Sequence, residues 1–190
     1  MEKFIFKIAL VFFCFATFTY AAPVKLPGKI ALHIAKTHYL HPVRLLHPYL
    51  DHWHMKGPLS EKAAIDSLQN RFANVSECTE SSEADVVLLL EPHMFYNPQL
   101  RVFHAEYIAR AYTSSGEPLT RIKKQARQIG DLNIAPDFFM EKSYTKAINK
   151  VIEKLATDKE FLATLDKNTK IKAGSICSKL DHQPLEKLYY

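Results

Sequence analysis

Residues 29–40, KIALHIAKTHYL, alternate with period two. Ile30, Leu32 and Ile34 fall on one side and Ala31, His33 and Ala35 on the other, which predicts a first strand. Residues 41–58 carry Pro42, Pro48 and Pro58, which limit any helix there to short turns. From Ser60 the pattern changes. Ala64, Ile65, Leu68 and Phe72 recur at helical spacing, with Ser60 placed to cap and Leu59 to act as a staple, so a first helix is expected over 60–73. The polar stretch 74–83, which contains Cys78, reads as a surface connection. The run Ala84-Asp85-Val86-Val87-Leu88-Leu89-Leu90 then has the near-continuous apolar character of a central strand covered on both faces.

Residues 102–113 alternate again, with Phe103, Ala105, Tyr107, Ala109 and Ala111 against His104, Glu106, Ile108, Arg110 and Tyr112. Turn chemistry at 114–118 and a more polar partner over 119–129 make this an antiparallel hairpin. Its second arm bears Arg121, Lys123, Lys124 and Arg127, the charge usage of an exposed edge. After Pro136, one stripe of Met140, Tyr144, Ala147, Ile148, Val151 and Leu155 predicts a long amphipathic helix, extended by a turn carrying Phe161, Leu162 and Leu165. The expected fold class is therefore α+β. It is a two-layer sandwich in the order β-α-β-β-β-α, with a four-stranded mixed sheet, its first two strands parallel, and two helices on one face. A single domain over 22–166 would be followed by a polar tail over 167–190.

Composition adds the compartment. The chain has 190 residues, 47% hydrophobic and 24% charged, with a net charge of +5; this excludes a disordered or collagen-like chain and falls short of a nucleic-acid arm. Residues 1–21 begin with Lys3 and Lys7, continue through an uncharged apolar run and end in small residues, the order of a secretory signal peptide cut after Ala21. The apolar run is shorter than the roughly 20 residues that span a bilayer, so no transmembrane span is expected in the mature chain. Cys14 leaves with the signal. Cys78 and Cys177 remain, and in an oxidising compartment they are expected to pair and tether the tail. Localisation in the periplasm or outside the cell follows, and with it a protein, glycan or lipid partner and not a nucleic acid.

The stretches ADVVLLLEP, HAEYIARAYTSSGEPL and EKSYTKAINKVIEKL, all within 84–155, give the chain a layout that resembles small accessory domains of the bacterial envelope. These include the amino-terminal domain of the periplasmic TolB protein, lipopolysaccharide-assembly lipoproteins, and curli- or polysaccharide-export accessory proteins. The resemblance implies action by docking to other envelope proteins and not by catalysis.

Six histidines, His33, His38, His41, His47, His52 and His54, crowd into 22 residues. Imidazole is the commonest metal ligand, so His38, His41, His52 and His54 are candidate ligands for zinc or copper, the one possible cofactor; His52 and His54 can share a side only in an extended segment. No ligand pairs of a closed zinc site and no His-Glu-x-x-His helix accompany them. The alternative is that they are amphipathic loop residues paired with carbonyls or water. The same segment holds Tyr49, Leu50 and Trp53, candidates for a partner surface. The basic residues Arg121, Lys123, Lys124 and Arg127 are candidates for contact with an anionic glycan or lipid surface, or are simply the solubilising charges of an edge. No nucleophile elbow or phosphate loop is present; His104 and Glu106, with Glu91 or His93, form the one conceivable acid/base group. The leading expectation is an exported non-enzymatic protein that acts by interaction. A histidine-mediated zinc or copper binder is the alternative, and an unrecognised hydrolase the second.

Overall fold

In the computed structural model, which describes residues 25–165, 174–183 and 186, the apolar run of the sequence becomes the central strand of a five-stranded mixed sheet. The elements are β1 (Leu26–His33), α1 (Lys36–Tyr39), β2 (Pro42–Leu46), β3 (Asp51–Met55), α2 (Lys56–Arg71), β4 (Phe72–Glu77), β5 (Val86–Asn97), β6 (Val102–Thr113), β7 (Pro118–Ile129), α3 (Pro136–Leu155), α4 (Lys159–Leu165) and α5 (Gly174–Leu180). The sheet order is β4-β1-β5-β6-β7, and β2 pairs with β3 in a separate two-stranded sheet. Strand β1 is parallel to both β4 and β5, with Ile30 opposite Val86 and Leu32 opposite Leu88. The β5-β6-β7 meander is antiparallel, with β7 at the edge.

The main core lies between one face of the sheet and helices α2, α3 and α4. Ile30, Leu32, Val86, Leu88, Leu90, Phe103 and Tyr107 meet Leu68, Met140, Tyr144, Ile148, Val151, Leu155 and Phe161, all buried. Every residue of the predicted α3 stripe is buried, because a period of 3.6 returns each to the sheet. Polar atoms in this layer are paired. The Tyr107 hydroxyl donates to the Ser60 carbonyl at 2.8 Å, and the Ser143 hydroxyl to the Phe103 carbonyl at 3.3 Å.

The sheet's other face carries a smaller core, Ala31, Ala35, Ala84, Val87, Leu89 and Tyr112, covered by Ile176 and Leu180 of α5. Cys78 follows β4 directly and is bonded to Cys177 within α5, with Cα atoms 5.9 Å apart. Asp181 adds a 3.0 Å contact to His33 Nε2 and accepts the Lys36 amide at 3.2 Å.

Four expectations need correction. The sheet has five strands, not four. The fifth is β4, which follows α2 with no intervening turn and fully buries only Phe72; the ladder with β1 holds it there, so the polar side chains of Asn74, Ser76 and Glu77 hid an edge strand. Residues 41–58 are not turns but the β2–β3 hairpin and the start of α2. Pro42 opens a strand and Pro48 sits in the connecting loop, positions that need no ladder N–H. Helix α2 begins at Lys56, and Ser60 does not cap it: Ser60 is buried and its hydroxyl donates back to the Lys56 and Gly57 carbonyls. The earlier start is possible because residue 57 is glycine, where a Cβ would stand 2.6 Å from the Tyr39 carbonyl oxygen and closer still to its ring. Finally, the two expected helices, α2 and α3, do share one face, but a further helix, α5, packs on the opposite side. The element order is accordingly longer than β-α-β-β-β-α. The signal-peptide reading of 1–21 lies outside the described residues, as does much of the expected tail.

Candidate functional site

Two regions of the described structure bear chemistry or surface beyond ordinary packing. The first is on the sheet face covered by α5. Period-two alternation sends Glu91, His93 and Phe95 of β5, His104, Glu106 and Arg110 of β6, and Arg121, Lys123, Gln125 and Arg127 of β7 to that face. Cross-strand register places His93 opposite Glu106, Phe95 opposite His104, and Arg110 opposite Arg121.

Glu91 is the hub and is buried. One of its oxygens, Oε1, lies 3.2 Å from His93 Nε2 and 3.6 Å from His38 Nε2. The other, Oε2, accepts from Arg110 Nη1 at 3.3 Å and from the Glu186 amide at 3.2 Å. The turn α1 brings His38 to this point because β1 ends two residues before it, and the start of α2 brings Lys56, whose Nζ is 3.2 Å from His38 Nδ1. Burial holds Lys56 well below its ordinary value, at about 8, against the opposing pull of Glu91; burial likewise lowers His38. A groove of about 570 Å³ opens beside His93 and Glu106 and is also lined by Phe95, His104 and Arg127.

The second region is the β2–β3 hairpin. Val43, Leu45 and His54 face inward and are buried, while Arg44, Leu46, Trp53 and Met55 face outward with Arg44 directly opposite Trp53. Arg44 Nε and Asp51 Oδ1 are 2.7 Å apart at the end of the same face. Tyr49 in the connecting loop is 91% exposed and Trp53 57% exposed.

The anticipated residues divide between these regions. Among the described residues, His38 is the one of the four candidate metal ligands that belongs to a convergent donor group, and its companions are Glu91 and His93, all three buried. His52 and His54 do share one side of an extended strand, yet His54 turns inward to Tyr144, with Nε2 3.1 Å from the hydroxyl, and neither it, His52 nor His41 joins the group. Tyr49 and Trp53 are outside as a contact surface requires, whereas Leu50 packs against the main core. The basic edge is split. Lys124 points to the helix side of the sheet, Arg121 is held by Glu186, and Lys123 Nζ is 3.4 Å from Glu106, leaving Arg127 as the exposed cation nearest His104. Arg121 and Arg110 in turn pull the Glu186 carboxyl down to about 2. Sequence reasoning noticed that His104 and Glu106 might meet Glu91 and His93, but it missed Lys56, because a buried lysine at the start of a helix has no sequence signature.

His54 makes a pH prediction. Burial, with help from the charges of His52 and Lys56, lowers it to about 4 from 6.5. The unfolded chain therefore takes up a proton between these values that the folded chain refuses. The resulting stability is fully present above pH 6.5 and is lost as pH falls towards 4, on the order of 3 kcal/mol in all. His33 and His38, also lowered by burial, add to the loss in the same direction. Urea midpoints measured at pH 7 and pH 5 should fall clearly, and His54→Gln should flatten the fall; identical slopes would contradict the assignment.

No family model matches the chain, and no curated protein matches it. Among solved structures, the protein XCC0632 from Xanthomonas campestris, described by the family model DUF330, superimposes at 11% identity with a TM-score of 0.48, over 77% of this chain and 93% of that one. A likeness at this level carries no argument about activity. The match is not to a TolB-like or lipopolysaccharide-assembly protein, so the envelope-domain resemblance of the sequence finds no support in these comparisons.

Proposed function

We propose that this chain is an exported, non-enzymatic protein that binds another protein of the envelope or extracellular space through the outer face of the β2–β3 hairpin. The observation that carries the reading is Trp53 standing largely in water beside Arg44, Leu46 and Met55, on a strand whose alternate residue, His54, is buried. Trp, Tyr, Met and Arg are the residue types that concentrate binding energy at protein interfaces, and a face anchored from behind loses little freedom on docking. The Arg44–Asp51 pair cancels the local charge, so the surface suits a partner chosen by apolar fit more than an anionic glycan or lipid. The basic edge supports that alternative less well, since two of its four cations already face carboxylates. Export is supported by the Cys78–Cys177 bond, a linkage that persists in oxidising compartments. Among the described residues, no helix is long and apolar enough to cross a membrane.

Site-specific photo-cross-linking in the native host tests the proposal. A cross-linker at position 49 should give one discrete heterologous adduct that is lost in Trp53→Ala, while the same group at Lys159, on α4, should give none. Trp53→Ala should leave folding stability within about 0.5 kcal/mol, as for surface substitutions generally. No adduct from position 49, or an adduct consisting of two copies of this chain, would overturn the proposal.

A further inference from the structure

We propose that His38, Glu91 and His93 form a binding site for a single divalent transition ion, zinc in the first instance, at the end of α1 beside the middle of β5.

The donors come from separate parts of the chain and converge in the interior. His38 is 2% exposed, Glu91 1% and His93 3%, and one ligand atom from each lies within 4.8 Å of the others. Ligands held roughly 2.0–2.1 Å from a tetrahedral ion stand about 3.3 Å from each other. The distances of Glu91 Oε1 from His93 Nε2, 3.2 Å, and from His38 Nε2, 3.6 Å, bracket that value. Two imidazoles and one carboxylate oxygen form a donor set suited to zinc or copper; calcium and magnesium prefer oxygen alone.

A second observation concerns the imidazole nitrogens. Among the described residues, His38 Nε2 and His93 Nδ1 are buried with no hydrogen-bond partner, and the first of them is aimed at Glu91 Oε1, 3.6 Å away. Buried imidazole nitrogens are nearly always satisfied, so the one on His38 needs an explanation. An ion on His38 Nε2 satisfies the first directly. Arg110 and the Glu186 amide hold Glu91 Oε2, which fixes the carboxylate with Oε1 turned towards the two imidazoles, a supporting arrangement of the kind found behind metal-bound carboxylates. Of the three donors, His93 also lines the groove described above.

Lys56 is the opposing feature, because an ammonium 3.2 Å from His38 Nδ1 repels a dication held on the same ring. It weakens the site and does not block it, since Nζ lies on the far side of the imidazole from Nε2. That geometry makes a prediction a purely structural hydrogen-bond cluster does not: Lys56→Met should tighten metal binding by tenfold or more.

The test is calorimetric titration of the purified, disulfide-intact protein with zinc, paired with visible absorption spectra of the cobalt(II) form. The expected result is one zinc per chain with a Kd at or below micromolar, and cobalt bands of a four-coordinate site. His38→Gln and His93→Gln should each weaken binding at least tenfold, while the double variant His41→Gln/His52→Gln should bind as the parent does. If either buried-site variant fails to fold, the loop double variant and Lys56→Met decide the matter. Retained stoichiometry in the first and tighter binding in the second support the site. Absence of zinc binding by the parent protein, or binding that disappears with His41 and His52, would overturn it.

Discussion

Replacing Glu91 with alanine is expected to destabilise the protein by about 3 kcal/mol, towards the lower end of the range for breaking a buried ion pair. The cost arises from what stays behind. His93 Nε2 loses its partner at 3.2 Å, Lys56 loses the carboxylate that opposes the lowering of its basicity, and the Glu186 amide loses its acceptor. Arg110 keeps Glu186 at 2.7 Å, which holds the cost below the top of that range. Glu91→Gln keeps the shape and a carbonyl acceptor and should fall between the two. Urea unfolding gives the check: an unfolding free energy for the alanine variant within about 1 kcal/mol of the parent would mean that the cluster is not the tightly coupled group its geometry describes.

Loss of the Cys78–Cys177 bond should have an effect of similar size by a different route. The bond joins residues 99 apart in sequence, for which loop-closure arithmetic gives about 4.7 kcal/mol as an upper figure; about 2–4 kcal/mol is the usual yield. Helix α5 has only 7 residues, too few to be helical alone, and it covers Val87, Leu89 and Tyr112 through Ile176 and Leu180. Reduction without denaturant, or Cys78→Ser, should therefore lower the urea midpoint and also expose apolar surface to a dye such as ANS before the sheet itself unfolds. An unchanged midpoint with no dye binding would show that α5 is held by packing alone.

Much of the architecture was legible where burial is one-sided or complete. The α3 stripe, the β6 alternation and the apolar run of β5 each describe a relation to a single core, and all three appear where the sequence puts them. Strands β2, β3 and β4 were missed because their side-chain patterns do not report their pairing: β4 buries one side chain, and the hairpin is interrupted by prolines that a strand start and a loop tolerate. The bond between Cys78 and Cys177 was foreseeable by elimination, as the two cysteines outside residues 1–21 have one intramolecular pairing. The site was half legible. Sequence spacing drew attention to His38 through local crowding of histidines, yet its companions lie more than 50 residues away on β5, and only the parallel β1–β5 pairing brings them together. His41, His52 and His54 were equally conspicuous in sequence and take other positions, since crowding along a chain is not convergence in space.

The two regions are adjacent in the chain: β3 runs straight into α2, so Trp53 on the outer face and Lys56 beside His38 are three residues apart. The hairpin's inner face is fixed by Leu45 and His54, and its outer face is offered to solvent. The function proposed above places the docking surface on that outer face.

The chain's one tryptophan makes the claim directly measurable. Fluorescence of the native protein should show emission close to that of indole in water and quenching by iodide nearly as efficient as in the urea-unfolded chain. A blue-shifted emission that iodide does not reach would place Trp53 in the interior and contradict the surface assigned here.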